Sequence, residues 1–269
     1  MQGLYLYCLR EKTGNPPGMS VKGIDGAGDI FVIPYKDLEA VVSRVSLEEF
    51  GSEEIQKKSQ DDLKWIREKA LAHEKVIEGA MKSGDKVLSV IPMRFGTIYK
   101  EAAGLEEALG NGYAKAGENL DKIRGKREWS VKMYLKNVWE FEQVVKDKNG
   151  AIKEKEKEMA ALSEGMAFFM EEELRELVRK EADIEVNNLA DEVFETLGKL
   201  SAACVRSKIL GKELTGKPEP MILNAACLVP EEKTGTFKRE IENLNQKLTV
   251  KGLYLECGGP WPAYNFVSF

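Results

Sequence analysis

The alternation of hydrophobic and polar residues predicts strands at the start of the chain, and a helical period follows. Residues 3–9, 30–33 and 38–45 are rich in aromatic and β-branched side chains and are separated by glycine and proline positions, which predicts three strands. Between residues 61 and 82 apolar side chains recur every three or four positions, which predicts a helix that begins near Asp61 and Asp62. A loop is expected at residues 14–18, a strand at 86–91, and helical segments at 102–109 and 114–123. These elements predict an N-terminal α+β domain over residues 1–125.

The rest of the chain predicts a second α+β domain over residues 126–269. A strand at 128–136 precedes a mostly helical segment, about 137–200, with breaks expected near residues 148–150 and Asp183. Strands near 202–209, 221–229 and 252–257, with a helix over 237–248, complete a β-α-β-β-α-β order, which is typical of a modified ferredoxin-like sheet with a helical insertion. One apolar stripe is expected in the helical segment, formed by Met159, Leu162, Met166, Phe169, Leu174 and Leu177.

Composition narrows the class of protein. The 269 residues carry a formal net charge of −5, which argues against a general nucleic-acid binder. No apolar run approaches the roughly 20 residues needed to span a bilayer, and the N-terminal residues do not resemble a signal peptide. The four cysteines form no C-x-x-C pair, so we expect reduced thiols in the cytoplasm, buried as small apolar side chains on strands.

Motifs for catalysis, cofactors and metals are missing from the sequence. His73 is the one histidine, and Ile77 stands where an H-E-x-x-H zinc motif needs a second histidine, so we interpret His73 as packed in or near the core. The glycine-rich segment from Gly110 to Gly112 lacks the lysine and hydroxyl of a phosphate-binding loop. We therefore predict no catalytic residue, no cofactor and no metal ligand.

Two further features leave alternatives open. Arg94, in the segment PMRFGT, can brace a loop or domain junction, or it can hold an anion with its planar guanidinium. Trp261 and Tyr264, in the terminal GGPWPAYNF, can form an aromatic platform for a ligand or plug the end of a sheet. Bracing and plugging are the interpretations we favour, with the terminal segment locking the second domain.

Seven segments, in order, resemble the gas vesicle protein L/F family (GvpL/GvpF). They are GLYLYC at residues 3–8, LEAVVSRVSLEEF at 38–50, residues 62–76 with Trp65 and His73-Glu74, PMRFGTI at 92–98, EWSVK at 128–132, ILNAACLV at 222–229, and residues 252–266 ending in GGPWPAYNF. Together they cover nearly the whole chain, with a looser match over about 146–201. Family tails often read TGPWPPY, and this chain departs from that pattern at Gly258 and Ala263, which loosens the expected tail slightly.

The resemblance implies a non-enzymatic accessory or minor structural protein of gas vesicle assembly. The implied partners are the small hydrophobic shell protein and other gas vesicle accessory proteins, and the implied location is the cytoplasm and the inner, gas-facing vesicle surface. The family-motif positions that become structural or interaction candidates are His73, Glu74, Arg94, Phe95, Trp261 and Tyr264. The alternative is a small-molecule-binding regulatory module or enzyme on the ferredoxin-like scaffold, using Arg94 and His73.

Apolar side chains around residues 166–170 occupy more than one face of the predicted helix. Met166, Phe168, Phe169 and Met170 exceed what a single buried stripe needs. We therefore expect this stretch to offer adaptable contacts to the shell protein.

Overall fold

A computed structural model of the protein describes residues 1–13, 21–83 and 86–269. The loop predicted at residues 14–18 lies outside the described residues. Two compact units are present: the first unit comprises Met1–Glu128 with Pro260–Phe269, and the second unit comprises Trp129–Gly259. The predicted domains, 1–125 and 126–269, differ from these units chiefly in the last ten residues. Among the helices of the described ranges, none is long and apolar enough to cross a bilayer.

The first unit is built on a five-stranded sheet in the order β2-β3-β1-β6, with β7 also paired to β1. Its strands are β1 (Gln2–Glu11), β2 (Ile30–Tyr35), β3 (Leu38–Ser46), β6 (Val90–Pro92) and β7 (Ile98–Tyr99), and β4 (Lys82–Ser83) pairs with β5 (Lys86–Val87) in a small ribbon. Nearly every residue of β1 is buried, as expected of a central strand covered on both faces. The strands predicted at residues 3–9, 30–33 and 38–45 are confirmed, whereas the strand predicted at 86–91 is divided between β5 and β6.

Four helices accompany this sheet: α1 (Leu47–Phe50), α2 (Ser52–Asp61), α3 (Leu63–Ala80) and α4 (Ala102–Ile123). The helix predicted over residues 61–82 is α3, and it begins where the Asp62 carboxylate accepts a hydrogen bond from the Trp65 backbone N–H. The break predicted between residues 109 and 114 is wrong, because α4 continues through that glycine-rich segment.

The second unit contains a four-stranded sheet. Its strands are β8 (Lys126–Leu135), β9 (Ala203–Arg206), β10 (Met221–Pro230) and β11 (Leu253–Trp261), in the order β11-β8-β10-β9. Its helices are α5 (Val138–Lys148), α6 (Gly150–Ala160), α7 (Glu164–Leu200), α8 (Lys212–Thr215) and α9 (Thr234–Thr249). Counted within the unit, the strand order is 4-1-3-2 on a β-α-β-β-α-β chain, which agrees with the predicted modified ferredoxin-like arrangement.

Helix α7 is longer than the sequence pattern predicts. The break expected at Asp183 is wrong, and the chain instead leaves the helical conformation between α6 and α7. Around Asp183 the helix presents buried residues at helical spacing, and their burial holds it to the core. These residues are Ala182, Val186, Leu189, Ala190 and Val193.

Cysteine chemistry also differs from the expectation of four reduced thiols. Cys204 on β9 and Cys227 on β10 are directly opposite each other and form a disulfide bond. Cys8 is buried and Cys257 is exposed, and both are free thiols. Sequence separation alone did not indicate the pair, because the two cysteines meet only through strand pairing.

Asn149 joins α5 to α6. Its side-chain carbonyl accepts hydrogen bonds from the backbone N–H groups of Ala151 and Ile152, and its amide donates to Glu181 on α7 at 2.7 Å. One side chain therefore caps a helix and links it to another.

Replacing this asparagine tests the helical arrangement. We expect Asn149→Ala to lower the free energy of unfolding by about 1–2 kcal/mol, because it removes the cap and leaves Glu181 without this donor. The matched control is Asn111→Ala on the exposed surface of α4, which should change stability little. Urea unfolding of both variants measures the difference, and equal effects would contradict the assignment.

Candidate functional site

His73 lies in the core of the first unit, only 4% exposed. Its Nε2 is 3.2 Å from the Met93 carbonyl oxygen, and its Nδ1 is 3.0 Å from the Tyr5 hydroxyl oxygen. Since a carbonyl can only accept, Nε2 donates and Nδ1 accepts the hydrogen bond from Tyr5. The Tyr5 oxygen in turn accepts from the Gly96 backbone N–H at 2.9 Å. Both ring nitrogens of His73 are thus engaged.

The environment of His73 keeps its ring neutral. Burial lowers the pKa of His73 to about 4, against the smaller raising effect of the hydrogen bond to Met93. A neutral ring with both nitrogens bonded acts as a link between α3, β1 and the turn that follows β6. This agrees with the interpretation of His73 as a packed histidine.

The neighbouring side chains of Phe95 and Arg94 differ in their environment: Phe95 packs against other rings, and Arg94 is exposed to solvent. The ring of Phe95 makes edge contacts with Tyr5 and His73, with centroids 6.5 and 6.0 Å apart. Arg94 is exposed, and its guanidinium makes no hydrogen bond or ion pair with the part of the chain that the structure describes. The turn is held instead by Thr97, whose hydroxyl donates to the Arg94 carbonyl at 2.7 Å. The side chain of Arg94 therefore does not brace this turn, and anion recognition by it stays a prediction.

Two acidic side chains hold the C-terminal segment Pro260–Phe269, here called the tail. The Tyr264 hydroxyl donates to Glu74 at 2.8 Å, and Asn265 donates to both oxygens of Glu128, from its backbone at 3.0 Å and from its side chain at 2.6 Å. Burial raises the pKa of Glu74 and of Glu128, and the hydrogen bonds from the tail partly offset that rise. Hydrogen-bond donors of the tail thus take the place of the water molecules that each carboxylate loses on burial.

Helix α4 provides the remaining hydrogen bonds of the tail. Lys122 donates to the Phe266 carbonyl at 2.8 Å, and Asn119 donates to the Ser268 carbonyl at 2.8 Å. The Phe269 ring lies against Gly112, where a Cβ atom would be only 2.4 Å from a ring carbon. Gly112 is therefore a contact position inside a helix. The sequence pattern predicts a break there, but α4 is continuous.

All these contacts lie within the first unit. The expectation that the tail locks the second domain is therefore wrong, because its partners come from α3, α4 and the first residues of β8. Trp261 is the last residue of β11 and lines a small crevice with Met81, Leu88 and Glu128. The two residues after it, Pro262 and Ala263, are buried. The Tyr264 hydroxyl is engaged in its hydrogen bond to Glu74.

An exposed apolar face is present at the start of α7 in the second unit. Phe168 is 72% exposed and Phe169 is 76% exposed, their rings meet edge to face at 6.0 Å, and Met166 is also exposed. The single stripe predicted through this segment is wrong, because Leu174 is buried whereas Met166 and Phe169 face outward. The excess of apolar residues on this segment is therefore open on the surface of the chain.

Metal coordination has no assembled site in the described ranges. No three histidine, cysteine, aspartate or glutamate side chains come together there in a way that can hold an ion.

The chain consists of two α+β units, and the second unit has an exposed apolar helix face. A family model described as "Gas vesicle synthesis protein GvpL/GvpF" matches residues 3–268. The chain belongs to this family, which is not a known enzyme family.

Individual relatives agree with this assignment, and solved structures share the fold. The chain is 32% identical to "Gas vesicle protein F" of Nostoc sp. over 67% of its length and 70% of the relative. It is 23% identical to "Gas vesicle protein F1" of Halobacterium salinarum over 99% of its length and 93% of the relative. The crystal structure of the gas vesicle protein GvpF from Anabaena sp. PCC7120 matches with a TM-score of 0.72 at 21% identity, covering 100% of this chain and 97% of that chain. GvpF from Microcystis aeruginosa matches with a TM-score of 0.69 at 21% identity, covering 99% of each chain.

A pH dependence follows from the buried histidine. The pKa of His73 is about 4 in the folded protein and near 6.5 in the unfolded chain, so protonation favours unfolding as the pH falls through this window. Its contribution to stability is complete above pH 6.5, and of the order of 3 kcal/mol is lost by pH 4. His73→Gln keeps a donor and an acceptor but does not titrate. The difference in unfolding free energy between the two proteins should therefore change with pH across this window, and a constant difference would contradict the assignment.

Gly112 and Gly117 provide a matched test of the tail contact on one helix. Nothing lies within 4 Å of a Cβ at Gly117, so Gly117→Ala should stabilise the protein by about 0.5–1 kcal/mol through helix propensity. Gly112→Ala should lose that gain, because the new methyl displaces the Phe269 ring, and the C-terminus should become more accessible to carboxypeptidase. Urea unfolding and digestion rates measure both effects. Equal stabilisation with equal digestion would show that the ring contact is unimportant.

Proposed function

We propose that the protein is a non-enzymatic accessory or minor structural component of gas vesicle assembly. In this proposal it binds the small hydrophobic shell protein at the inner, gas-facing side of the vesicle. Membership of the gas vesicle synthesis family supports the role in assembly. The exposed apolar face of α7 is the observation that supports a hydrophobic partner.

That face has the properties of a contact surface. Large apolar side chains that cluster in the open often mark interaction sites on proteins. Burying one phenylalanine or methionine side chain contributes roughly 1.5–3 kcal/mol, so covering Phe168, Phe169 and Met166 can provide a substantial part of a binding free energy. The flexible thioethers of Met166 and Met170 adapt to an irregular partner surface.

The alternative function, a small-molecule module or enzyme using Arg94 and His73, gains no support from the geometry. His73 is buried with both ring nitrogens bonded, whereas Arg94 is exposed. The two side chains therefore do not face a common cavity from which they can act together on a substrate.

Polar substitution of the apolar face tests the proposed function. We expect the double variant Phe168→Ser with Met170→Ser to co-purify with about tenfold less shell protein than the natural chain, because it removes the apolar area available to the partner. Both side chains are on the surface or partly buried, so the fold should be retained, which circular dichroism checks.

Leu214→Ser is the matched control, because Leu214 is 76% exposed on α8 of the same unit and does not belong to the apolar stretch at the start of α7. The control should co-purify like the natural chain. Undiminished recovery of the shell protein with the double variant would overturn this surface assignment. No recovery with the natural chain would overturn binding of the shell protein itself.

A further inference from the structure

The disulfide bond of the second unit joins an outer strand to its neighbour. Cys204 of β9 and Cys227 of β10 face each other in the antiparallel pair, with their Cα atoms 4.2 Å apart. In the strand order β11-β8-β10-β9, β9 is the last strand and pairs with β10 alone. The bond therefore fastens one edge of the sheet.

Apart from this bond, β9 is held weakly. It has four residues, and none of them is fully buried. Its other attachments include backbone hydrogen bonds to β10 and the contact of Arg206 with Asp191 and Phe194 of α7. Short segments with little buried apolar surface open most readily from a native structure. The disulfide bond is thus the covalent tie on a strand that otherwise opens easily.

The core of the second unit does not depend on this bond. Buried apolar side chains from β8, β10, β11, α5, α6, α7 and α9 form that core, and β9 contributes only the partly buried Cys204 at its margin. Disulfide bonds are needed to hold a fold mainly in small domains that lack a sufficient core. Loss of this bond should therefore loosen β9 without unfolding the unit.

The two bonded cysteines differ in their access to solvent. Cys227 is fully buried in the core, whereas Cys204 is partly exposed on the outer strand. Disulfide bonds exchange by attack of a thiolate, and access helps to decide which sulfur is attacked. We expect a thiolate from solution to attack Cys204, with Cys227 as the leaving group.

The strand next to β9 is apolar and almost wholly buried. Residues 225–229 of β10 are all buried and carry no charge. When β9 opens, the backbone groups that β10 shares with it lose their partners, and an apolar strand edge of this kind can pair with a strand of another chain. The position of β9 thus decides whether this edge is closed.

We propose that Cys204 and Cys227 form a thiol–disulfide switch, which fastens β9 over the edge of β10 when oxidised and lets β9 open when reduced. A low-molecular-weight thiol such as glutathione is the reductant, and the disulfide of that thiol is the oxidant. The switch goes beyond the proposed function and does not depend on binding of the shell protein.

Reduction takes place in two exchange steps. In the first step the thiolate of a small thiol forms a bond to Sγ of Cys204, the protein disulfide bond breaks, and Cys227 leaves as a thiolate. In the second step another small thiolate attacks the sulfur of the bound small thiol, which forms the small-molecule disulfide and releases the thiolate of Cys204. Two small thiols are oxidised, two electrons pass to the protein, and the two thiol protons end on Cys204 and Cys227. Oxidation is the reverse sequence.

Equilibration of the full chain with mixtures of reduced and oxidised glutathione tests the chemistry. Protein from each mixture is quenched in acid, unfolded and alkylated, and mass spectrometry of its peptides identifies the labelled cysteines. We expect Cys204 and Cys227 to be linked in the most oxidising mixtures, labelled in the most reducing mixtures, and reversibly converted between the two states. A pair that stays linked in every mixture, or that never becomes linked, would overturn the switch.

Hydrogen–deuterium exchange of the oxidised and reduced forms tests the opening of β9. Reduction should speed the exchange of amides in residues 202–207 at least about tenfold, because the attachments that remain open more often. Equal exchange in the two forms would overturn the proposal, since the bond would then not control β9. This comparison uses the natural chain and needs no substitution.

Two cysteine variants complete the test. Cys204→Ser cannot form the bond, so its β9 amides should exchange like those of the reduced form at every glutathione ratio. Cys257→Ser is the matched control, because Cys257 is an exposed free thiol on β11, and β8 and β10 lie between that strand and β9. The control should respond to glutathione like the natural chain. Slow exchange in Cys204→Ser, or loss of the response in Cys257→Ser, would contradict the assignment of the switch to this pair.

Discussion

The hydrogen bonds between Asn265 and Glu128 are the contact on which the organisation of the chain depends. Glu128 is the last residue of the first unit before the chain enters the second, and Asn265 lies in the tail that returns to the first unit after Gly259. Two donors meet one buried carboxylate, and hydrogen bonds to a charged group each contribute roughly 1.5–3 kcal/mol. Without them Glu128 would remain buried with its charge less well satisfied. The last residues of the sequence thus complete a unit whose other residues come from its beginning.

Aromatic side chains are held differently at two places in the chain. In the tail of the first unit Phe266 is buried, and the partly exposed Phe269 and Tyr264 are anchored on Gly112 and Glu74. In the second unit Phe168 and Phe169 are 72% and 76% exposed. The same residue types therefore serve stability in one place and remain available to a partner in the other. This contrast connects the fold to the proposed role in gas vesicle assembly.

Local patterns predicted most of the strands and the start of α3, because alternation and a capping aspartate act through near neighbours. The motifs that carry the family resemblance fall on the sheets, on α3 and on the tail. Long-range contacts escaped prediction for physical reasons. The glycine at position 112 predicts a helix break, but it lies inside α4, where the ring of Phe269 packs against it. Helix α7 continues through Asp183, because burial of apolar residues along the helix outweighs one polar position. Cys204 pairs with Cys227 because the register of β9 and β10 places them opposite each other. The tail packs on the first unit because Glu128, to which it is hydrogen-bonded, belongs to that unit.

Hydrogen–deuterium exchange of the full chain, alone and with the shell protein, tests the division between a structural tail and a binding surface most directly. The account predicts slower exchange on binding in residues 164–170 at the start of α7, with the tail unchanged. Protection confined to the tail or to the sheet edges, with no change at the start of α7, would contradict it.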